Sequence, residues 1–169
     1  MQPTTSLISY SDKSRFYSEL SREIEALADR HWLTALSNTA ASLKQHLPRI
    51  NWVGFYLLHE KELVLGPFQG LPACTRIALG KGVCGTAALK RESVLVTDVD
   101  QFPGHIACDS ASRSELVVPL FRDLAQQELI GVIDVDSPEL ARFDEADKIG
   151  FEQIAMALTR ANGFPAKFF

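Results

Sequence analysis

Three cysteines, at positions 74, 84 and 108, each fall at or near a turn rather than inside an apolar stripe. Once ionised, a thiol so placed can attack an electrophile, bind a metal, or condense with an oxidised neighbour. Cys108 stands in FPGHIACDSASRSELVVPLF, residues 102–121, three positions after His105 and beside Asp109. The first half of that stretch is small, polar and turn-forming; from Leu116 it is apolar and β-branched, like a buried strand. A thiol near the end of a loop that feeds a core strand is free at one end and anchored at the other. Reactive residues concentrate in such places. An imidazolium at His105 would lower the Cys108 pKa, while Asp109 and Glu115 would raise it.

The thiols admit three readings. They are inert buried residues, zinc ligands with His105 as the fourth, or a nucleophile with resolving partners. Structural zinc sites pair their ligands two to four residues apart, and no cysteine pair is so spaced. His105 also fits a plain loop histidine. A second constellation is acidic. Glu115 opens one strand-like run, and Asp134 and Asp136 stand two apart in GVIDVDSP, residues 131–138, so they share a strand face. Buried acids at the end of an apolar strand are costly unless they bind something cationic or cap a turn. A turn at Asp136-Ser137-Pro138 accounts for Asp136, but not for Asp134 or Glu115. The run Gly80–Gly85 matches neither glycine pattern that cradles phosphates, and reads as turn geometry.

Several elements must position these groups. Phe16, Leu20, Ile24 and Leu27 form one helical stripe with Ser11 or Asp12 as N-cap. Trp32, Leu36, Ala40, Leu43 and Leu47 form a second stripe, stopped by Pro48. Strands are predicted over residues 51–58 and 63–68, both apolar enough for two covered faces. Short strands follow at 75–79 and 94–99, with a short helix between them that opens in the glycine-rich turn and runs to about Arg91. Residues 116–121 and 129–136 form a hairpin pair. A closing helix starts near Asp144, with Phe143 as a staple, and buries Ile149, Ile154 and Leu158. This order predicts an α+β fold, a single domain with one mostly antiparallel sheet flanked by helices.

The 169 residues suit one domain with a proper core. A net charge of -4 without clustered Lys or Arg excludes nucleic acid as the main partner. No apolar run approaches a membrane span, and the N-terminus lacks a signal core, so a cytoplasmic protein is expected. An odd number of cysteines in a reducing compartment argues against a permanent disulfide framework.

NWVGFY (51–56), GPFQG (66–70), GKGVCGTA (80–87), the loop at 102–115 and GVIDVDSP (131–138) together resemble the free methionine-(R)-sulfoxide reductases, which are built on a GAF-type domain. The resemblance runs from about residue 17 to residue 160. It departs in the hairpin tip 122–128, where the family often turns tightly on a glycine and this chain has RDLAQQE. The resemblance implies that Cys108 is the nucleophile, Cys74 the main resolving thiol and Cys84 an auxiliary one. It implies that Glu115, Asp134 and Asp136 hold the substrate, while Trp52 and Tyr56 wall its methylthio end. It further implies thioredoxin as reductant, no metal or organic cofactor, and a homodimer, which the amphipathic N-terminal helices also suggest. The rival expectation is a non-catalytic GAF sensor for a small ligand, with the cysteines as a redox switch. Two features favour the enzyme: no output module is recognisable in the chain, and the acids have the right sign for an amino acid. Inert thiols on an interaction domain are a third reading.

Overall fold

A computed structural model describes residues 9–106 and 109–169. Among these, six strands form one antiparallel sheet in the order β3-β2-β1-β6-β5-β4. The strands are β1 (Trp52–His59), β2 (Glu62–Gln69), β3 (Arg76–Ala78), β4 (Val94–Val96), β5 (Ser114–Phe121) and β6 (Leu129–Ser137). The helices are α1 (Lys13–Ala26), α2 (Trp32–His46), α3 (Gly82–Lys90) and α4 (Glu145–Ala161). The α+β expectation holds.

Strand alternation splits the core in two. Val53, Phe55, Leu57, Leu116, Val118, Leu120, Ile133 and Val135 face α1, α2 and α4. The alternate residues Trp52, Tyr56, Val117 and Val132 face α3 with Val83, Cys84, Ala87 and Ala88. One face carries the larger apolar core, and the other holds the acidic trio Glu115, Asp134 and Asp136. The covering of both faces holds for β1, whereas β2 is only half-buried along most of its length. Its pairing with β1 slips between Gly54 and Tyr56, opposite Gly66-Pro67, where a proline can sit without breaking a ladder.

The predicted caps form. The Asp12 side chain accepts from the Arg15 amide at 3.1 Å, and Asp144 and Asp147 close a capping box at the start of α4. Two expectations are corrected, and the hairpin departure finds its reason. Ile149 is 48% exposed; the buried stripe of α4 is Phe151, Ile154, Ala155 and Leu158, whose steps of three, one and three keep one face, and Ile149 lies off that register. The strand expected over 94–99 ends at Val96, because Asp98 accepts from the Asp100 amide and starts a 3₁₀ turn over Val99–Gln101. The hairpin tip without glycine places Gln126 in the left-handed region at φ 58°, and the Asp123 carboxylate holds it by accepting from the Gln127 and Glu128 amides.

The N-terminal helix is clamped to the closing one. Buried Asp147 accepts from the Tyr10 and Tyr17 hydroxyls and from Lys13 Nζ. Gly150 permits this approach, since a Cβ there would lie 2.1 Å from Tyr17 Cγ. Gly→Ala inside a helix ordinarily gains up to about 1 kcal/mol. Here Gly150→Ala should instead cost about 1–3 kcal/mol through overpacking, read as a lowered urea midpoint.

Candidate active site

Pairing of β1, β6 and β5 assembles the site row by row. Trp52 lies opposite Asp136, and Asp136 opposite Glu115; in the next row Gly54 lies opposite Asp134, and Asp134 opposite Val117. Tyr56 follows on the same face, opposite Val132. The sheet thus brings together residues as far apart in sequence as 52 and 136. Glu115 and Asp134 are each 6% exposed, while Asp136 is half-buried. Beside them, in the first turn of α3, sits the buried free thiol of Cys84.

Two small adjoining cavities, of about 30 and 10 Å³, lie over this row. Tyr56, Asp109, Asp134 and Asp136 line both; Cys84, His105 and Glu115 line the first, and Trp52 the second. Each has room for one or two waters. A roomier pocket of about 420 Å³ between β5 and α4 is lined, among the described residues, by no cysteine and none of the predicted site residues. Convergence of buried acids, not volume, marks the site.

The aromatic wall is fixed from behind. Trp52 stacks on Phe68 at 5.3 Å and on Tyr56 at 5.9 Å. Gly54 makes room for the indole, because a Cβ there would come 2.8 Å from it and 2.4 Å from Phe68 Cβ. The indole N–H donates to the Leu71 carbonyl at 3.1 Å, and the Tyr56 hydroxyl donates to the Cys74 carbonyl at 3.0 Å. The wall therefore also anchors the segment that carries Cys74. Cys74 is disulfide-bonded.

The nucleophile expected at Cys108 lies outside the described residues. The loop around it is tied down by a residue that sequence reasoning passed over. Asn51 donates from Nδ2 to Asp109 at 2.8 Å and to Ser112 at 3.0 Å. A polar residue heading an otherwise apolar strand was the available signal. His105 is not a plain loop histidine either: its Nε2 lies 3.2 Å from Glu115 Oε2. Burial depresses the His105 pKa below its ordinary value, so the imidazolium considered from the sequence is disfavoured. Its contact with Glu115 is a hydrogen bond in which burial disfavours the charged form of both groups.

The electrostatics have one dominant cause. Burial pushes the carboxyls of Glu115, Asp134 and Asp136 well above the usual carboxylate range; Asp136 adds to the shift of Glu115, Glu115 to that of Asp134 and Asp134 to that of Asp136, while the hydrogen bond with Asp134 lowers Glu115. The Cys84 thiol and the Tyr56 hydroxyl are raised for the same reasons. Cys84 and Glu115 both lie within hydrogen-bonding reach of Asp134, yet Asp134 Oδ1 has no partner. A buried carboxylate oxygen without a donor among the described residues is costly, and a cationic donor there would favour the ionised form of these acids.

The GAF domain family signature matches residues 33–161, so the sheet, its helices and this pocket define a GAF domain. The chain is 46% identical over 151 residues to the free methionine-R-sulfoxide reductase of Escherichia coli, covering 88% of this chain and 90% of that protein. It is 41% identical to the protein of that name from Saccharomyces cerevisiae, covering 89% and 87%. The free methionine-R-sulfoxide reductase of Neisseria meningitidis, solved in complex with its substrate, superposes with a TM-score of 0.85 at 48% identity, over 92% of this chain and 94% of that one. This chain belongs to the free methionine-R-sulfoxide reductase family of GAF proteins.

Raised acids make a checkable signature. The folded state holds protons that the unfolded chain releases near pH 4, so these groups lower stability as pH rises from about 4 towards their raised values. Asp134→Asn and Glu115→Gln remove that penalty. Both variants should be more stable than the parent in urea at pH 7, with the gain shrinking towards zero as pH approaches 4. Equal stability of parent and variants across that range would contradict the assignment.

Proposed function

We propose that this protein reduces free L-methionine (R)-S-oxide to L-methionine. The observation that carries the reading is the convergence of Glu115, Asp134 and Asp136 on one buried face, with an orphan oxygen on Asp134. A free amino acid brings an ammonium to such a cluster, whereas a peptide-bound methionine brings a neutral amide. Family membership supports the same substrate.

In this reading Cys108 attacks the sulfoxide sulfur as a thiolate. The oxygen, protonated, passes to the Cys108 sulfur as the substrate S–O bond and the transient S–S bond both break; methionine leaves and Cys108 is left as a sulfenic acid. A second thiol condenses with it, expelling water and leaving a disulfide. An external dithiol, thioredoxin, then restores both thiols by exchange and is itself oxidised. Trp52 and Tyr56 wall the methylthio end. The acids pair with the ammonium, and a carboxyl still neutral supplies a proton to the departing oxygen. The two cavities hold too little space for an amino acid, so their walls must give way to admit one. No metal or organic cofactor has a step in this chemistry.

Two facts support Cys74 rather than Cys84 as the main resolving thiol. Cys74 is disulfide-bonded. Cys84 is buried beside Asp134, with its ionisation suppressed, which makes it a slow partner at neutral pH. The cytoplasm, where such a reductant is available, is the expected compartment, and no helix among the described residues is long and apolar enough to cross a membrane. A homodimer also belongs to the reading. The apolar stripes of α1 and α2 are used within the chain, so they give no ground for it. Exposed Ile149 and Met156 on α4 are the apolar surface for such a contact.

With racemic free methionine sulfoxide, thioredoxin, its reductase and NADPH, oxidation of NADPH should stop at half the racemate, since a chiral pocket admits one sulfur epimer. Complete consumption would exclude the epimer claim; bound ligand without turnover would favour a sensor. The N-acetylated sulfoxide should be a poor substrate.

The thiols separate in single-turnover form. Without reductant, Cys108→Ser should release no methionine, because a hydroxyl is too weak a nucleophile. Cys74→Ser should release about one per chain and then stall in cycling. Cys84→Ser should cycle better than Cys74→Ser. The reverse order would exchange the two roles.

A further inference from the structure

We propose that Cys84, Glu115 and Asp134 form a binding site for a thiophilic divalent cation, with zinc as its biological occupant. One ligand atom from each of the three, a sulfur and two carboxylate oxygens, lie within 4.8 Å of one another. All three side chains are buried. They come from three rigid elements, α3, β5 and β6. Around a tetrahedral ion with bonds of about 2.0–2.3 Å, neighbouring ligand atoms stand roughly 3.5 Å apart, so each must draw in by about 1 Å or less. Independently of this grouping, Asp134 Oδ1 is an acceptor without a partner, on a residue 6% exposed that lines the cavity.

The donor set selects the metal. A thiolate among the ligands favours zinc or cadmium over magnesium or calcium, which take oxygen donors in larger number. Three protein ligands with the fourth position open to the cavity is the arrangement of an exchangeable zinc site rather than a closed structural one. His105 supports it from behind: its Nε2 lies 3.2 Å from Glu115 Oε2, the relation by which outer partners orient a ligating carboxylate. This ligand set differs from the three cysteines and His105 weighed from the sequence. Binding releases the Cys84 proton and those of the acids to solvent, so affinity rises with pH. If the acids hold the substrate ammonium as proposed above, zinc takes the same oxygens and inhibits. That consequence rests on the proposed function; the binding does not.

The test therefore reads binding in a protein that cannot turn over. The full chain carrying Cys74→Ser and Cys108→Ser retains Cys84 as its sole thiol. Calorimetric titration with Zn²⁺ should give one ion per chain, undisturbed by millimolar Mg²⁺. Cd²⁺ should produce a thiolate-to-metal charge-transfer band in the near ultraviolet. Adding Cys84→Ser should abolish the band. Adding Asp134→Asn should weaken Zn²⁺ binding by at least about tenfold, since even outer partners of a site are worth 10–100-fold. Glu115→Gln carries the same test should Asp134→Asn fail to fold. The proposal is overturned if the parent double variant shows no cadmium band. It is equally overturned if Zn²⁺ affinity is unmoved by Cys84→Ser and by the acid-to-amide changes, which would leave surface histidines and carboxylates as the binders.

Discussion

Three carboxyl groups on one buried strip of sheet repel one another and are starved of water, and the rest of the site follows from how that is relieved. Without a cation they relieve it by holding protons. Asp136 and Glu115 face each other across β6 and β5, and Asp134 stands one row along. No arginine or lysine lies opposite them in these rows, where a structural role would call for one. Lys13 and Arg142 show the contrast, since they neutralise buried Asp147 on the far side of the sheet. Charge balance is completed within the chain where the acid is structural. On the α3 face no lysine or arginine completes it in these rows, which is the opening the proposed substrate ammonium would use.

That division depends on strand alternation. The same three strands give every second residue to an apolar core and the others to the pocket, so neither function can shift register without destroying the other. The core face contributes Phe55, Val118 and Ile133. The pocket face contributes Trp52, Tyr56 and the acids, and beside them Gly54, whose missing Cβ makes room for the indole. Hydrogen bonds from Trp52 and Tyr56 to the Leu71 and Cys74 carbonyls couple this rigid face to the segment bearing Cys74.

Much of this was legible in the sequence, for identifiable reasons. Helical stripes and strand runs are local patterns, and Asp12, Pro48 and Asp144 punctuate them where caps and stops belong. The acidic cluster was legible because Asp134 and Asp136 keep the two-residue step of a strand. Ile149 misled because a lone apolar residue near a stripe looks like part of it; only the angular step to Phe151 and Ile154 separates them. Asn51 and the His105–Glu115 contact were not legible. Both join a strand to a loop across a separation that no period encodes, 58 residues from Asn51 to Asp109 and ten from His105 to Glu115. The glycine-free hairpin was read as a departure, and the structure accounts for it through Asp123.

The raised acids also link recognition to chemistry. In the proposed function the acids must both recognise the substrate ammonium and deliver a proton to oxygen, demands that a single acid cannot meet at once: ionised it holds the ammonium, neutral it gives the proton. A coupled cluster meets both. The ammonium's charge stabilises ionisation of the carboxyl it touches, and repulsion from that new carboxylate keeps a neighbour protonated. Substrate binding itself would then divide the roles among Glu115, Asp134 and Asp136. Selectivity for the free amino acid and readiness to protonate the leaving oxygen are, on this account, two consequences of one buried row of acids.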